Sequence, residues 1–399
     1  MTHKKFMTNS RRTDCPGLRE PGAIYMILIV LSLQASGFAQ EPTAQKLDPN
    51  MALKKADADG IVWLDPREEA LELTGFEWIN EDGLYRRLPL HPDWEIRKAV
   101  DQLANHTAGG QIRFRSNSKR ILVKVELREK SGMYHMPATG QSGFDLYLKE
   151  DGEQRYFRTT RFSADSISYQ AELFSSETNK TRTFTLNFPL YNGVKSVWVG
   201  VDQGSLVEAP PPFMRPGKIV IYGTSITQGG CVARPGMVYS NILSRMLDVQ
   251  FVNLGFSGNG RGEPALAHLI TQIKGTSCII LDYEANAGMS LKETLGPFVD
   301  VLREKHPAVP ILIVSKIRYA NTWEGSTPFR NWMDLRDFQK TFVEKRKTAG
   351  DTNIYFLDGS VILGDDYDEC TVDGVHPTDL GSLRIAHAMK PVLEEILRK

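Results

Sequence analysis

The strongest constraint on the fold is an apolar run at residues 218–222 that leads directly into Gly223-Thr224-Ser225-Ile226-Thr227-Gln228-Gly229-Gly230. This pattern predicts a buried strand, a tight turn and the start of a helix. Such a turn places the hydroxyl of Ser225 at the carboxyl edge of a parallel sheet, beside backbone N–H groups that have no partner within the helix. Those groups can stabilise an oxyanion. The alternative is a structural turn in which Ser225 only caps the helix.

A matching base and acid occur near the end of the chain, in Asp373-Gly374-Val375-His376-Pro377. A catalytic serine needs a general base to accept its proton, and the base needs a carboxylate that fixes its tautomer. Asp-x-x-His supplies both groups on one loop. By itself this pentapeptide is an ordinary polar turn, but together with Ser225 it predicts a Ser225, His376 and Asp373 triad.

Two further segments predict donors for an oxyanion hole. Residues 250–254 indicate a buried strand, and the glycine-rich residues 255–264 that follow allow close approach of the backbone to a substrate. We expect the N–H of Gly258 to be the second donor after that of Ser225. A strand at residues 278–282 precedes Asn286, which offers a side-chain amide at the carboxyl end of the sheet.

The two halves of the chain have different hydrophobic patterns. Between residues 40 and 215, apolar and polar residues alternate over short runs bounded by turn residues, which is typical of an antiparallel β-sandwich or jelly roll. These runs are residues 111–115, 121–127, 144–148, 183–188 and 197–201. From residue 218 onward strands alternate with helical patterns, which predicts a parallel sheet. We therefore expect a β-domain at 40–210, a proline-rich linker at 211–217 and an α/β domain at 218–399.

The residues quoted above resemble the four blocks of the SGNH (GDSL-like) hydrolase superfamily, with Ser225, Gly258, Asn286 and His376 as the hallmark residues. The resemblance implies a flavodoxin-like three-layer α/β/α domain, a Ser-His-Asp mechanism on small esters, and no metal or organic cofactor. The segment Gly143-Phe144-Asp145-Leu146-Tyr147 resembles a bacterial subgroup with a Gly-x-Asp-Leu-Tyr motif in an amino-terminal β-domain.

Two positions depart from the common family pattern. Thr224 stands before the serine and Ala287 follows the asparagine, where many members have Asp. Glu263 and Glu284 are candidate substrate-binding residues, for contact with substrate hydroxyls or an arginine; a solvated surface glutamate is the alternative for each. The loop at residues 128–141 is a candidate for reaching over the active site.

Charge argues against a polyanionic partner. The chain has 48 Lys+Arg and 48 Asp+Glu. Loss of residues 1–39 would remove five basic and two acidic residues and leave a net charge of −3. Without a basic surface, neither nucleic acid nor an anionic membrane is expected as the main partner.

The amino terminus has the pattern of an export signal. Basic residues precede an apolar stretch at residues 24–31, and Gly37-Phe38-Ala39 supplies small residues for cleavage after Ala39. The stretch is shorter than the roughly 20 residues of a membrane span, so no stable membrane insertion is expected after signal removal. The long charged leader leaves two alternatives open: a translation start at Met7 and an uncleaved anchor.

Cysteine spacing gives no zinc motif. Cys15 falls in the signal, Cys278 lies in a predicted core strand, and a disulfide between Cys231 and Cys370 would join the two loops of the predicted triad.

The sequence thus predicts an exported, periplasmic or extracellular serine esterase. The favoured substrates are small acyl esters, O-acetyl above all, on polysaccharides or oligosaccharides, as the resemblance implies. The alternatives are a lipase, lysophospholipase or thioesterase of the same superfamily, and a carbohydrate-binding protein with an inactive hydrolase fold.

Overall fold

The computed structural model describes residues 54–68, 70–150 and 152–398. The predicted signal at 1–39 lies outside these residues. Residues from Lys54 onward belong to one compact unit. No helix within the described part is both long and apolar enough to cross a membrane.

The amino-terminal half contains two antiparallel sheets that enclose a hydrophobic core. Its strands are β1 (Ile61–Leu64), β2 (Glu72–Thr74), β3 (Gln111–Ser116), β4 (Arg120–Leu127), β5 (Asp145–Lys149), β6 (Gln154–Thr159), β7 (Ser168–Ser175), β8 (Arg182–Asn187), β9 (Val194–Asp202) and β10 (Val207–Glu208). One sheet has the order β1-β9-β4-β7, and the other has β10-β3-β8-β5-β6 with β2 paired to β3. The expected β-rich amino-terminal domain is confirmed.

The carboxyl-terminal half is a five-stranded parallel sheet with the order β12-β11-β13-β14-β15. Its strands are β11 (Lys218–Gly223), β12 (Gln250–Gly255), β13 (Thr276–Asp282), β14 (Ile311–Val314) and β15 (Ile354–Leu357). Relative to chain order this is 2-1-3-4-5, the flavodoxin-like order. The predicted α/β class is confirmed.

Helices cover both faces of the parallel sheet. The described α-helices are α1 (Ile79–Asp82), α2 (Lys98–Leu103), α3 (Ala138–Ser142), α4 (Ser225–Gln228), α5 (Tyr239–Leu247), α6 (Pro264–Thr271), α7 (Glu284–Ala287), α8 (Leu291–Lys305), α9 (Thr327–Thr348) and α10 (Asp379–Ile396). Short 3₁₀ turns lie at Pro235–Met237, Gly288–Ser290, Gly359–Val361 and Tyr367–Cys370. Helices α5 and α10 pack on one face, whereas α6, α8 and α9 pack on the other.

The segment that contains α1 and α2 packs on the parallel sheet, although it precedes most of the β-sandwich in sequence. Trp78, Leu88 and Val100 are buried in the same hydrophobic cluster as the core strands β11, β12 and β13. Arg87 is 1% exposed, and its Nη1 donates to the carbonyl of Gly255 at 2.5 Å. The two halves of the chain therefore share part of one core.

The proline-rich residues 211–217 form no strand, as expected, and they are held by contacts to both halves. Arg113 of β3 donates to the carbonyl of Pro211 at 3.0 Å and lies 3.7 Å from the centre of the Phe213 ring. The N–H of Met214 donates to Asp248, which follows α5.

Candidate active site

Ser225 lies where strand β11 turns into the short helix α4. The side chain of Thr224 caps this helix by accepting from the N–H of Ile226 at 3.3 Å. The turn requires glycine at position 223, because a Cβ there would lie 2.0 Å from Oγ1 of Thr227 and 2.6 Å from the carbonyl of Asp282. Ser225 is 7% exposed, so only a small part of it is open to solvent.

A chain of hydrogen bonds joins Ser225 to the predicted base and acid. Nε2 of His376 is 2.9 Å from Oγ of Ser225, and Nδ1 of His376 is 2.7 Å from Oδ2 of Asp373. Oδ1 of Asp373 accepts from the backbone N–H groups of Val375 and His376, at 3.0 and 2.7 Å. The structure thus brings together three residues that the sequence places up to 151 positions apart.

The surroundings of Asp373 favour its charged form. Burial alone raises the pKa of Asp373, but hydrogen bonds from His376 and Val375 outweigh it, so the pKa of this carboxyl lies below its usual range. An ionised carboxylate only accepts hydrogen bonds, so the proton of a neutral His376 ring lies on Nδ1. Nε2 is then free to accept the proton of Ser225.

The predicted oxyanion-hole residues lie at the same edge of the sheet. Strand register pairs Gly223 with Gly255 on one side and with Asp282 on the other, so the loops that carry Gly258 and Asn286 begin level with Ser225. Gly258 has a φ of 68°, in the left-handed region that favours glycine.

The Asn286 side chain has a defined orientation. Its Oδ1 accepts from the N–H of Gly260 at 3.2 Å, which leaves the amide hydrogens for another acceptor. The N–H of Ser257 donates to Oε1 of Gln228 in α4 at 3.0 Å, so the glycine-rich loop is bonded to the helix that begins at Ser225.

The two predicted substrate-binding glutamates have other partners. Glu284 is 2% exposed, and its Oε2 accepts from the N–H of Lys316 and from Nε2 of Gln339, both at 2.7 Å. Its carboxylate supports the loop after β14 and has no surface for a substrate, so that expectation was wrong. Glu263 forms an ion pair with Arg97 and accepts from the hydroxyl of Tyr222 at 3.0 Å. Sequence analysis gave substrate hydroxyls or an arginine as the contacts of Glu263, and the structure shows an arginine from the amino-terminal half.

The amino-terminal half contributes side chains that the sequence did not single out. Nε2 of His135 is 3.9 Å from Oδ2 of Asp373. The rings of His135 and His376 pack edge to face, with 5.5 Å between their centres. The hydroxyl of Tyr191 donates to the carbonyl of Ser225 at 2.9 Å. The loop at residues 128–141, which carries His135, therefore reaches the site. No sequence pattern near His135 or Tyr191 indicates these contacts, because each contact depends on how the two halves of the chain pack together.

The Gly-x-Asp-Leu-Tyr segment connects the β-domain to the loop that follows α4. Phe144 and Leu146 point into the sandwich core, whereas Asp145 points toward the hydrolase half and has no exposed surface. Oδ2 of Asp145 accepts from Nη1 of Arg234 and from the N–H of Gly236, both at 2.8 Å. The motif thus holds the loop that follows α4.

Two clefts are lined by neighbours of the predicted triad, though not by the triad residues themselves. One, of about 700 Å³, lies between the amino-terminal half and the loop around Gly258; its polar lining includes Gln102, Asn105, Arg128, Glu129 and Asn259. The other, of about 550 Å³, lies on the His376 side; its lining includes Tyr134, His135, Cys231, Val372 and Leu380. The side chain of Tyr134 is 90% exposed and stacks on the ring of His135, with 4.3 Å between ring centres.

His106 lines the larger of these clefts and is held in its neutral form. Burial, and then the charges of Arg87 and Arg128, lower the pKa of His106 to about 4. Its Nδ1 lies 3.0 Å from Nε2 of Gln228, which donates to it.

No disulfide joins the two loops of the triad. Cys231, Cys278 and Cys370 are all free and buried. Sγ of Cys370 instead contacts the carbonyls of Leu363 and Asp366, away from Cys231. The proposed Cys231–Cys370 bond was therefore wrong, while the expected core position of Cys278 in β13 is observed.

A serine at a strand-to-helix turn bonds to a histidine, which bonds in turn to an aspartate, on a flavodoxin-like sheet. This arrangement is that of an SGNH-type hydrolase. The profile of the GDSL-like lipase/acylhydrolase family matches residues 217–394, and that of the N-terminus of SGNH-hydrolase-type esterases matches residues 61–207. A Bacteroides ovatus protein described as a GDSL-like lipase is 30% identical, with 85% of this chain and 98% of that chain covered and a TM-score of 0.74. The chain belongs to the GDSL-like lipase/acylhydrolase family and is a hydrolase of ester bonds.

Two more distant structures share the fold. A salicylyl-acyltransferase from a tetracycline biosynthetic pathway is 20% identical with a TM-score of 0.69, and a family two carbohydrate esterase from Cellvibrio japonicus is 14% identical with a TM-score of 0.53. In each case 85% of this chain and 98% of the other are covered. No curated protein matches the sequence significantly.

Proposed function

We propose that this protein is an exported serine esterase that removes small acyl groups, chiefly O-acetyl, from polysaccharides or oligosaccharides. The observation that carries the proposal is the hydrogen-bond chain from Asp373 through His376 to Oγ of Ser225, with distances of 2.7 and 2.9 Å. These distances lie within the range at which a base can take the proton of a nucleophile.

In the first half of the reaction, Oγ of Ser225 attacks the ester carbonyl while Nε2 of His376 accepts its proton. The ionised Asp373 stabilises the imidazolium that forms. His376 then gives the proton to the leaving alkoxide, which departs as an alcohol and leaves an acyl group on Ser225. A water molecule, deprotonated by His376, hydrolyses this acyl-enzyme and restores the serine.

The tetrahedral intermediates carry negative charge on the former carbonyl oxygen. We assign its stabilisation to the N–H of Ser225, the N–H of Gly258 and the side-chain amide of Asn286. The orientation of Asn286 by Gly260 supports this assignment, because a donor that is already aligned needs no reorganisation during the reaction.

The clefts beside the triad support a sugar as the alcohol part of the ester. The larger one offers amide, guanidinium and carboxylate groups that can bind sugar hydroxyls, beside apolar side chains such as Leu103, Met133 and Tyr191 that can pack on a sugar ring. On the side of His376, where the leaving alcohol receives its proton, Tyr134 presents an exposed ring face. The carbohydrate esterase named above shares only the fold, and it suggests acetylated glycans as the first substrates to test.

Export and domain limits belong to the same proposal. We assign residues 1–39 to a signal cleaved after Ala39, residues 40–210 to the β-domain and residues 218–399 to the hydrolase domain. Amino-terminal sequencing of protein recovered from the periplasm or medium tests the cleavage site, and a start at Met1 or Met7 would contradict it.

Hydrolysis of p-nitrophenyl esters from acetyl to octanoyl tests the function, with Ser225→Ala and the exposed-serine control Ser163→Ala. We expect the acetyl ester to be the best substrate, and Ser225→Ala to lower kcat by about 10⁴-fold or more while Ser163→Ala does not. Acetate release from acetylated xylan tests the glycan assignment. A preference for long chains would indicate a lipase, and sugar binding without turnover of any ester would indicate a binding protein.

A further inference from the structure

A cluster of metal-ligating side chains lies against the catalytic base. His135, Cys231 and His376 each offer one ligand atom, and these three atoms all lie within 4.8 Å of one another. The residues come from the β-domain loop, the turn after α4 and the loop before α10. This distribution along the chain explains why cysteine and histidine spacing gives no zinc motif.

The three segments are held together by backbone contacts. The N–H of Cys231 donates to the carbonyl of Pro377, next to His376, at 2.9 Å. The hydroxyl of Thr139, four residues after His135, donates to the carbonyl of Ala233 at 2.6 Å. The ligand atoms therefore do not need a large movement of the chain to converge.

The chemistry of the set fits a thiophilic divalent ion. Two imidazoles and one thiolate are typical zinc ligands, and the fourth position of such a site can hold water. In a tetrahedral site with Zn–N and Zn–S bonds of about 2.0 and 2.3 Å, neighbouring ligand atoms are roughly 3.5 Å apart, so side-chain rotations would close the remaining distance. Nδ1 of His135 is buried and has no hydrogen-bond partner among the described residues, so it loses no bond when it turns toward a metal.

An ion can reach the cluster from solvent. His135 and Cys231 both line the cleft of about 550 Å³ on the His376 side. When the ion binds, the S–H bond of Cys231 breaks, its proton passes to solvent and a sulfur–metal bond forms.

We propose that His135, Cys231 and His376 form an inhibitory Zn²⁺ site. Inhibition follows whichever ring nitrogen of His376 is used. Coordination through Nε2 removes the acceptor for the proton of Ser225, and coordination through Nδ1 replaces the bond to Asp373. Occupancy of the site therefore switches the esterase off without any change at Ser225.

Binding is measured first on the mature protein, residues 40–399, which lacks Cys15. It carries Ser225→Ala, which keeps all three ligands and cannot turn over an ester. Titration with CdCl₂ should produce the ultraviolet charge-transfer band of a cadmium–thiolate bond, and calorimetry with ZnCl₂ should give one site per chain. Addition of Cys231→Ala should abolish the band, whereas the matched change Cys278→Ala in the core should leave it. A band that survives the loss of Cys231, or no binding at all, would overturn the proposal.

Inhibition is measured next with p-nitrophenyl acetate in chelator-free buffer. ZnCl₂ should inhibit the protein reversibly, and EDTA should restore the rate. In His135→Gln, the Zn²⁺ concentration that halves the rate should rise by about 100-fold or more, with the variant's own metal-free rate as the baseline. Loss of a group that only orients a ligand already lowers metal affinity by about 10–100-fold, so loss of a ligand should cost at least as much. The exposed control His91→Gln should retain wild-type inhibition. Equal inhibition of the two histidine variants would refute the site even if Cys231→Ala does not fold.

Discussion

Replacement of Asp145 tests whether the Gly-x-Asp-Leu-Tyr segment acts on the active site through the loop that follows α4. Asp145→Ala removes the acceptor for three donors: Arg234, the N–H of Gly236 and Nδ2 of Asn187, which donates to Oδ1 at 2.7 Å. Arg234 keeps its bond to the hydroxyl of Tyr147 at 2.7 Å, but its charge loses the carboxylate.

The magnitude follows from the burial of the pair. The side chain of Asp145 is fully buried and that of Arg234 is 19% exposed. Breaking a fully buried ion pair costs about 3–5 kcal/mol, and the partial exposure of Arg234 favours the lower end of that range. We therefore expect the free energy of unfolding to decrease by about 3 kcal/mol. Urea unfolding measures this change.

Activity should fall as well, under conditions where the variant remains folded. The loop that Asp145 holds also bonds to the carboxyl-terminal loop, because Cys231 donates to Pro377 and Ala233 donates to Asp379 at 2.8 Å. A displacement of about 1 Å at a reacting group costs on the order of 10²-fold, so we expect kcat/KM for p-nitrophenyl acetate to fall by roughly 10- to 100-fold.

Controls separate this mechanism from general damage. Asp165→Ala removes an exposed acid of the same domain and should change neither quantity. In a double-mutant cycle, Arg234→Met should add little to Asp145→Ala, since the two residues act as one unit. Wild-type stability together with wild-type kcat/KM in Asp145→Ala would refute the reasoning.

Three further changes test other parts of the site. Asn286→Ala should lower kcat by about 10²- to 10³-fold with little change in KM, and a change confined to KM in steady-state kinetics would contradict an oxyanion role. Gly260→Ala should lower the free energy of unfolding in urea by about 1–3 kcal/mol, because the new Cβ would lie 2.2 Å from the carbonyl of Gly223. An unchanged urea midpoint would show that the loop can move to accommodate the methyl group. The pKa of His106 is lowered to about 4 in the folded protein, whereas it is about 6.5 in the unfolded chain. The free energy of unfolding should therefore fall as the pH drops from about 6.5 to 4, by at most about 3 kcal/mol. His106→Gln should flatten that part of the pH profile, and an identical profile in the variant would contradict this.

Much of the fold was predictable because it depends on local patterns. The alternation in β3, β4, β8 and β9 and the apolar runs of the parallel strands are properties of short segments, and they indicated both sheet types. The position of Ser225 followed from its place after a strand, because parallel strands bring their carboxyl ends to one edge of the sheet. The Asp373–His376 loop was predicted from its residue types, since a catalytic serine needs a base and an acid.

The loop at residues 128–141 was a candidate for reaching the site, but which of its side chains would do so could not be predicted from local patterns. His135 lies in a loop without periodicity, and its approach to Asp373 depends on the packing of one half against the other. The prediction that Glu284 binds substrate was wrong for a related reason. Whether a polar residue at a strand end is buried depends on partners that are distant in sequence, which here are Gln339 and the backbone of Lys316.

The packing of Trp78, Leu88 and Val100 on the parallel sheet bears on how this protein can be divided. A chain cut at the proline-rich segment would yield two fragments, one with exposed apolar surface on α2 and the other with an uncovered face of its sheet. Neither fragment would keep the bond between Arg87 and Gly255. The visible boundary in the sequence is therefore a poor place for recombination or for expression of the hydrolase half alone, and the intact chain should melt as one cooperative unit.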